Sequence, residues 1–194
     1  MSTVTTSMFT FLLGDDAALI PRTPAITAAY HEVFTANFER ITRWNPSPEG
    51  RPTPEDTRRN LAEAGRAWVD GTRLPLAIGV KTEGGWRLVG GVGLEINGTA
   101  GTGEAGYWLD ASAEGRGLAT RAMSALLDEA FGRLGLHRVE LRIAPTNEPS
   151  RKMARRLGFT EEGMLREALA FPDGRQDELV YGLLAEEWRG AARG

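Results

Sequence analysis

The sequence predicts a single α/β domain in which a mixed sheet is flanked by helices. Three observations lead there. With 194 residues, 41% hydrophobic and 25% charged, the chain suffices for one well-cored domain and would be cramped as two. No repeat, low-complexity stretch or linker divides residues 1–194. From Leu74 onward, alternating apolar patterns and helical patterns follow one another: hairpin, strand, glycine turn, long helix, strand, shorter helix and a last hairpin.

The elements can be justified in order. Met8 to Leu13 is a short apolar strand candidate, and helical spacing of apolar residues runs from about Pro24 to Ile41. Asn45 to Pro52 carries three prolines and is the least regular stretch. Thr53-Pro54-Glu55-Asp56 then has the grammar of a helix start, with a hydroxyl cap, a proline at the first helical position and acids in the first turn. That helix should run to about Val69. Leu74 to Lys81 and Trp86 to Ile96 alternate about Thr82-Glu83-Gly84-Gly85, a hairpin. Glu104 to Asp110 is the next strand. Leu118, Ala122, Leu126, Ala130 and Leu134, with Met123, Leu127 and Phe131 beside them, form an apolar stripe at helical spacing. His137 to Ile143 reads as a strand and Pro149 to Leu157 as a helix, and Phe171 to Arg175 turns between two final strands.

Between the strand at Glu104–Asp110 and the long helix lies Glu114-Gly115-Arg116-Gly117-Leu118-Ala119-Thr120. Glycine lets a backbone turn tightly and approach a ligand closely, and the first N–H groups of a helix lack internal partners and carry the positive end of its dipole. Such a turn suits a diphosphate, although glycines of this kind also serve packing alone. A nucleotide triphosphate loop would need Lys and a hydroxyl where Leu118 and Ala119 stand. A dinucleotide fingerprint fails by one place, because Thr120 occupies the third small position. What remains is Gln/Arg-x-x-Gly-x-Gly/Ala, filled by Glu114, Gly117 and Ala119.

Composition limits the chemistry. A formal net charge of -3 gives no sequence-independent grip on nucleic acid or anionic lipid. Without cysteine, and with only His31 and His137, the chain has no disulfide, no thiol nucleophile and no usual zinc ligand set. No apolar run approaches the roughly 18 residues of a membrane span, and no signal pattern opens the sequence, so a soluble cytoplasmic protein is expected.

The stretch from Gly106 to Phe159 resembles the GNAT superfamily of acyl-CoA-dependent N-acyltransferases, with weaker similarity over nearly the whole chain. Within it, Gly106-Tyr107-Trp108-Leu109-Asp110 and Asn147-Glu148-Pro149-Ser150 are similar to the RimJ/RimL branch, which acetylates N-terminal amines of ribosomal proteins. The resemblance implies a mixed central sheet in which two parallel strands, ending near Leu109 and at Val139–Ile143, splay to admit the pantetheine arm of acetyl-CoA. It places Gly115, Arg116, Gly117, Leu118, Ala119 and Thr120 at the pyrophosphate, with Glu114 a departure from the family's Gln or Arg and expected to point away from the diphosphate. The Leu109 backbone would meet the arm or the thioester carbonyl, and Asn147 would contact the arm besides capping a helix.

Many family members protonate the leaving thiolate with a tyrosine, whose position is Ala154 in this sequence; Ser150 becomes the expected acid. Glu104 is the expected base, with Glu95 as the other candidate. The resemblance forms the acceptor site from roughly Phe38–Trp44 and Ala170–Tyr181, with Trp44 as a candidate wall and Asp177 and Glu178 as candidate attractants for a cation. The function so implied is direct acetyl transfer in a ternary complex, from acetyl-CoA to a primary amine, as an enzyme that can be a homodimer. A protein N-terminus is the expected acceptor; a small amine, or a non-catalytic acyl-CoA module, is the alternative.

Overall fold

The computed structural model describes residues 3–4, 10–46 and 50–191. Its strands are β1 (Thr3–Val4), β2 (Phe11–Leu12), β3 (Ala17–Pro21), β4 (Arg73–Thr82), β5 (Gly85–Asn97), β6 (Thr102–Leu109), β7 (Arg138–Ile143), β8 (Thr160–Phe171) and β9 (Gly174–Leu184). They form one sheet in the order β2-β3-β4-β5-β6-β7-β9-β8, with β1 paired to β5. Every neighbouring pair is antiparallel except β6 and β7, which run parallel. The predicted single-domain mixed sheet is therefore present.

Helices cover both faces. Helix α4 (Leu118–Phe131) lays Leu118, Ala122, Met123, Leu126, Leu127, Ala130 and Phe131 on one face, against Val89, Val92, Leu94, Ala105, Val139 and Leu141. The apolar stripe was legible as predicted, but the helix stops at Phe131, so Leu134 packs from the following loop. On the other face, α1 (Thr27–Ala36) and α3 (Pro54–Val69) pack Ala29, Tyr30 and Leu61 against Ala18, Ile20, Ala77, Trp86 and Leu88. At the start of α3, the Thr53 hydroxyl accepts from the Asp56 N–H and the Asp56 carboxylate accepts from the Thr53 N–H, closing a capping box. The remaining helices are α2 (Phe38–Thr42), α5 (Glu148–Arg156) and α6 (Ala185–Ala191).

Other features depart from the sequence reading, among them β1, β3 and α6, which it did not include. Strand β3 was not anticipated, because all five of its residues are buried and no polar alternation betrays it. The early part of the strand expected at Met8–Leu13 lies outside the described residues, as does the centre of the proline-rich loop; Phe11–Leu12 is strand. The helical pattern from Pro24 to Ile41 is not one helix. It is a short 3₁₀ turn at Pro24–Ile26, then α1, then α2, with a break at the buried Asn37.

The break at Asn37 and a bulge in β5 together set the end of β6. Ile78 pairs with Gly90 and Gly79 with Leu88, so Val89 is the extra residue, and its carbonyl accepts from the Asp110 N–H at 2.7 Å. A Cβ on Gly90 would stand 2.4 Å from the Trp108 carbonyl oxygen and 2.8 Å from Leu109 Cδ2. Only glycine lets β6 lie this close. Because the colliding group is backbone and cannot rotate away, Gly90→Ala should lower unfolding free energy by about 1–3 kcal/mol, the usual range for overpacking. Urea denaturation of the two proteins checks this.

Candidate active site

Strands β6 and β7 are paired only from Thr102–Ala105 against Arg138–Leu141. Beyond that point Gly106–Leu109 remains paired to β5 on one side, and Arg142–Ile143 to β9 on the other, with no register between them. The expected splay is thus present. It opens a cleft of about 680 Å³ lined by Gly106 to Leu109 on β6, Leu141 to Ala144 after and within β7, the glycine turn, and Asn147, Pro149 and Ser150 of α5 and its cap.

At the mouth of this cleft, Gly115 and Gly117 both hold positive φ, 73° and 70°. In this left-handed region a side chain is disfavoured. A Cβ on either would meet no atom within 4 Å, so the turn encloses open space. Gly117 caps α4 without any side-chain hydrogen bond, which leaves the first N–H groups of that helix facing the cleft without a side-chain partner. Open space above glycines, orphan donors and the positive end of a 14-residue helix fit a diphosphate. Four arginines (Arg40, Arg43, Arg142 and Arg156) and one glutamate (Glu114) are the charged residues on the lining, in a protein whose net charge is negative.

The turn is held in place from two sides. Asp110 accepts from the Ser112 N–H at 2.8 Å and from Asn37 Nδ2 at 2.7 Å, while Asn37 also donates to the Val33 carbonyl at 2.9 Å. Burial pushes the Asp110 carboxyl up, but the Ser112 and Asn37 donors outweigh it and hold it below the ordinary value. The break between α1 and α2 is therefore tied to the end of β6. On the far side, Arg121 of α4 pairs with Asp16, Nη1 to Oδ1 at 2.7 Å, and donates to the Leu13 carbonyl.

Most of the residues singled out in the sequence line the cleft: Trp44, Leu109, Gly115, Gly117, Leu118, Ala119, Thr120, Asn147 and Ser150. Arg116 does not. Between its two left-handed glycines the turn directs its side chain outward, 3.7 Å from Asp16. Glu114 does not stand apart from the cleft as expected; it lines it and pairs with Arg40 of α2. Both side chains are about half exposed, so this ion pair adds little to stability.

Glu104 lies off the cleft lining. Side chains alternate along a strand, so Glu104 shares its face with Gly106 and Trp108, opposite Ala105, Tyr107 and Leu109. It stands where β6 and β7 are still paired, flanked by Glu95 on β5 and Glu140 on β7. These residues border a separate shallow depression. Arg142, which does line the cleft, holds Glu104 at 3.3 Å and also approaches Glu140 and Glu178. Partial burial raises the Glu104 pKa; Arg142 opposes this and the three neighbouring glutamates reinforce it. Glu95 is paired with Arg73 at 2.7 Å. Of the final hairpin expected near the acceptor, Asp177 accepts from the Glu167 N–H, and Glu178 lies 3.5 Å from Arg142 of the cleft lining.

Ser150 lines the cleft in the first turn of α5. Its N–H donates to Asn147 Oδ1 at 3.3 Å, capping α5, and its hydroxyl lies 3.0 Å from the Tyr107 hydroxyl. Tyr107 was not singled out in the sequence, where it stood inside the strand read from Glu104 to Asp110. Trp108, on the other face, is boxed edge-on by Tyr30 and Phe34 at 6.0 and 5.6 Å between ring centroids, and Arg43 lies 4.9 Å from the Trp44 ring centroid.

A sheet parted between two parallel strands, with a glycine turn and helix N-terminus at its mouth, is the architecture expected of an acyl-CoA-dependent acyltransferase. Residues 18–160 match the family described as the acetyltransferase (GNAT) domain, and the chain belongs to that family. It is 31% identical over 189 residues to YdaF of Bacillus subtilis (strain 168), whose name describes it as a ribosomal N-acetyltransferase; the match covers 94% of this chain and 99% of that one. Among solved structures, one described as an acetyltransferase is similar at a TM-score of 0.86 and 27% identity, covering 94% of this chain and all of that one. Mycobacterium smegmatis RimJ, solved in complex with CoA-disulfide, is similar at a TM-score of 0.70 and 25% identity over 95% of this chain and 93% of its own.

The Asp110 brace gives a pH test. Its carboxyl titrates lower in the folded protein than in the unfolded chain, so its stabilising contribution is present above the unfolded value, near 4, and disappears as pH falls through the folded one. Asp110→Asn should therefore be less stable than the parent at pH 7, and the gap should close on going below about pH 4. Thermal melts across pH 2.5 to 7, which span those values, check this.

Proposed function

We propose that the protein transfers an acetyl group from acetyl-CoA to the N-terminal α-amine of a protein or peptide, by direct attack in a ternary complex. The observation that carries this is the parting of β6 from β7 beside an open, donor-rich glycine turn. The turn takes the diphosphate, and the unpaired edge of Gly106–Leu109 meets the amides of the pantetheine arm as a strand would. When bound, acetyl-CoA supplies an activated thioester. The name of YdaF, similar to this chain over nearly its full length, supports a ribosomal acceptor.

In this reading the chain's own groups divide the work. The Leu109 backbone at the end of β6 polarises the thioester carbonyl. Asn147 fixes the start of α5 and the arm beside it, and Trp44 walls the acceptor side. Glu104 takes the proton of the attacking amine through water, since Gly106 lies roughly 6.6 Å further along the same face of the strand. Its raised pKa makes it a stronger base than an ordinary carboxylate. Ser150 returns a proton to the departing sulfur. The same reading includes a cytoplasmic location and a homodimeric state, the latter tested by light scattering during gel filtration.

Incubation with isotopically labelled acetyl-CoA and a panel of N-terminal peptides and free amines tests the acceptor. Label on a peptide α-amine is the expected result. Label on free amines alone would assign a small-molecule substrate, and coenzyme A binding without transfer would assign a non-catalytic module. Ser150→Ala should lower kcat by about 100-fold with little change in KM for acetyl-CoA, the scale of a lost general acid; steady-state kinetics check it. Glu114→Gln removes the one negative charge on the cleft lining. It should tighten coenzyme A binding at low ionic strength, with a gain that fades as salt is raised, as calorimetric titration would show.

A further inference from the structure

We propose that Tyr107 is the source of the proton that Ser150 delivers, so that the acid of this site is a tyrosine–serine relay spanning β6 and α5. The proposal rests on the acetyltransferase reading above. It begins from a chemical mismatch. An aliphatic hydroxyl is a far weaker acid than a thiol, so Ser150 alone cannot give up its proton to a thiolate without receiving another as it does so. The Tyr107 hydroxyl lies 3.0 Å from Ser150 Oγ, and both residues line the cleft.

Their acidities set the direction of the bond. A phenol titrates near 10 and a serine hydroxyl much higher, so Tyr107 donates and Ser150 accepts. The serine proton is then free to point into the cleft. Burial raises the Tyr107 pKa, with the nearby Glu114 charge adding to it and the Ser150 hydrogen bond opposing. The phenol thus carries its proton at neutral pH. The arginines on the lining (Arg40, Arg43, Arg142 and Arg156) and Glu114 are the charged groups exposed to the same space.

The step balances. The amine nitrogen gives up a proton through water to Glu104 and forms a bond to the thioester carbon, and the carbon–sulfur bond breaks with its electron pair going to sulfur. The Ser150 proton moves to that sulfur as the Tyr107 proton moves to Ser150 Oγ. The phenolate regains a proton from water entering at the cleft mouth. The family's tyrosine position holds Ala154 here, on the buried side of α5. A phenol reaching Ser150 from β6 supplies the missing acid from a different element.

Single-turnover acetyl transfer measured for the parent, Tyr107→Phe, Ser150→Ala and the double variant tests the relay, with coenzyme A affinity and melting temperature measured alongside. Tyr107→Phe should slow transfer by about 10- to 100-fold, up to the general-acid scale, with coenzyme A affinity unchanged. The double variant should be no slower than Ser150→Ala, because the two act as one chain. Replacing the acyl donor by an acetyl aryl thioester, whose thiolate leaves unprotonated, should restore most of the loss in both single variants. A Tyr107→Phe rate within twofold of the parent, or losses that multiply in the double variant, would overturn the relay while leaving the acetyltransferase reading standing. A parent protein that binds coenzyme A yet acetylates no amine would instead remove that reading.

Discussion

Everything at the site depends on where β6 and β7 stop pairing. Two parallel strands in the middle of a sheet normally satisfy one another along their whole length, because a buried N–H or carbonyl without a partner costs as much as a lost hydrogen bond. Here the pairing ends at Ala105 and Leu141 although both strands continue. The unpaired edge is a standing demand for a ligand with a strand-like pattern of amides. A simple apolar cleft would make no such demand.

The parting is enforced from outside the cleft. Gly90 permits the end of β6 to lie against β5, and the bulge at Val89 offers its carbonyl to Asp110, so β6 is drawn toward β5 as it leaves β7. Asn37, buried at the break between α1 and α2, then ties the same Asp110 to the helices on the opposite face. The glycine turn begins immediately after this knot. Asp16, clasped by Arg121, fixes the first turn of α4 to the β2–β3 connection. The glycine turn is therefore held at both ends while its own glycines remain unobstructed.

Charge is distributed to match. The net charge of the chain is negative, yet the cleft carries four arginines against Glu114. On the other face of β6, Glu104, Glu140 and Glu178 gather about Arg142. A cationic acceptor and an anionic donor would thus be drawn to different sides of the same parted strands. Arg142, on the lining of one and in contact with the acids of the other, joins the two.

Much of this was legible in the sequence. The capping grammar at Thr53, the hairpin about Gly84, the stripe of α4 and the glycine turn are local signals, set by residues three or four apart or by a single backbone conformation, and local chemistry suffices to read them. Strand β3 escaped because a strand buried on both faces shows no alternation. The break at Asn37 escaped because the residue's side chain answers to Asp110, 73 positions away. The sequence by itself determined the order of elements from α3 to β9, the glycine turn and the placement of Ser150 at a helix start. Only the tertiary structure decided that Arg116 faces away, that Glu114 faces across to Arg40, that Glu104 stands beside the cleft, and that Tyr107 meets Ser150. Each of those is a contact between elements distant in the chain, and strand register and helix docking fix such contacts where no spacing along the sequence can.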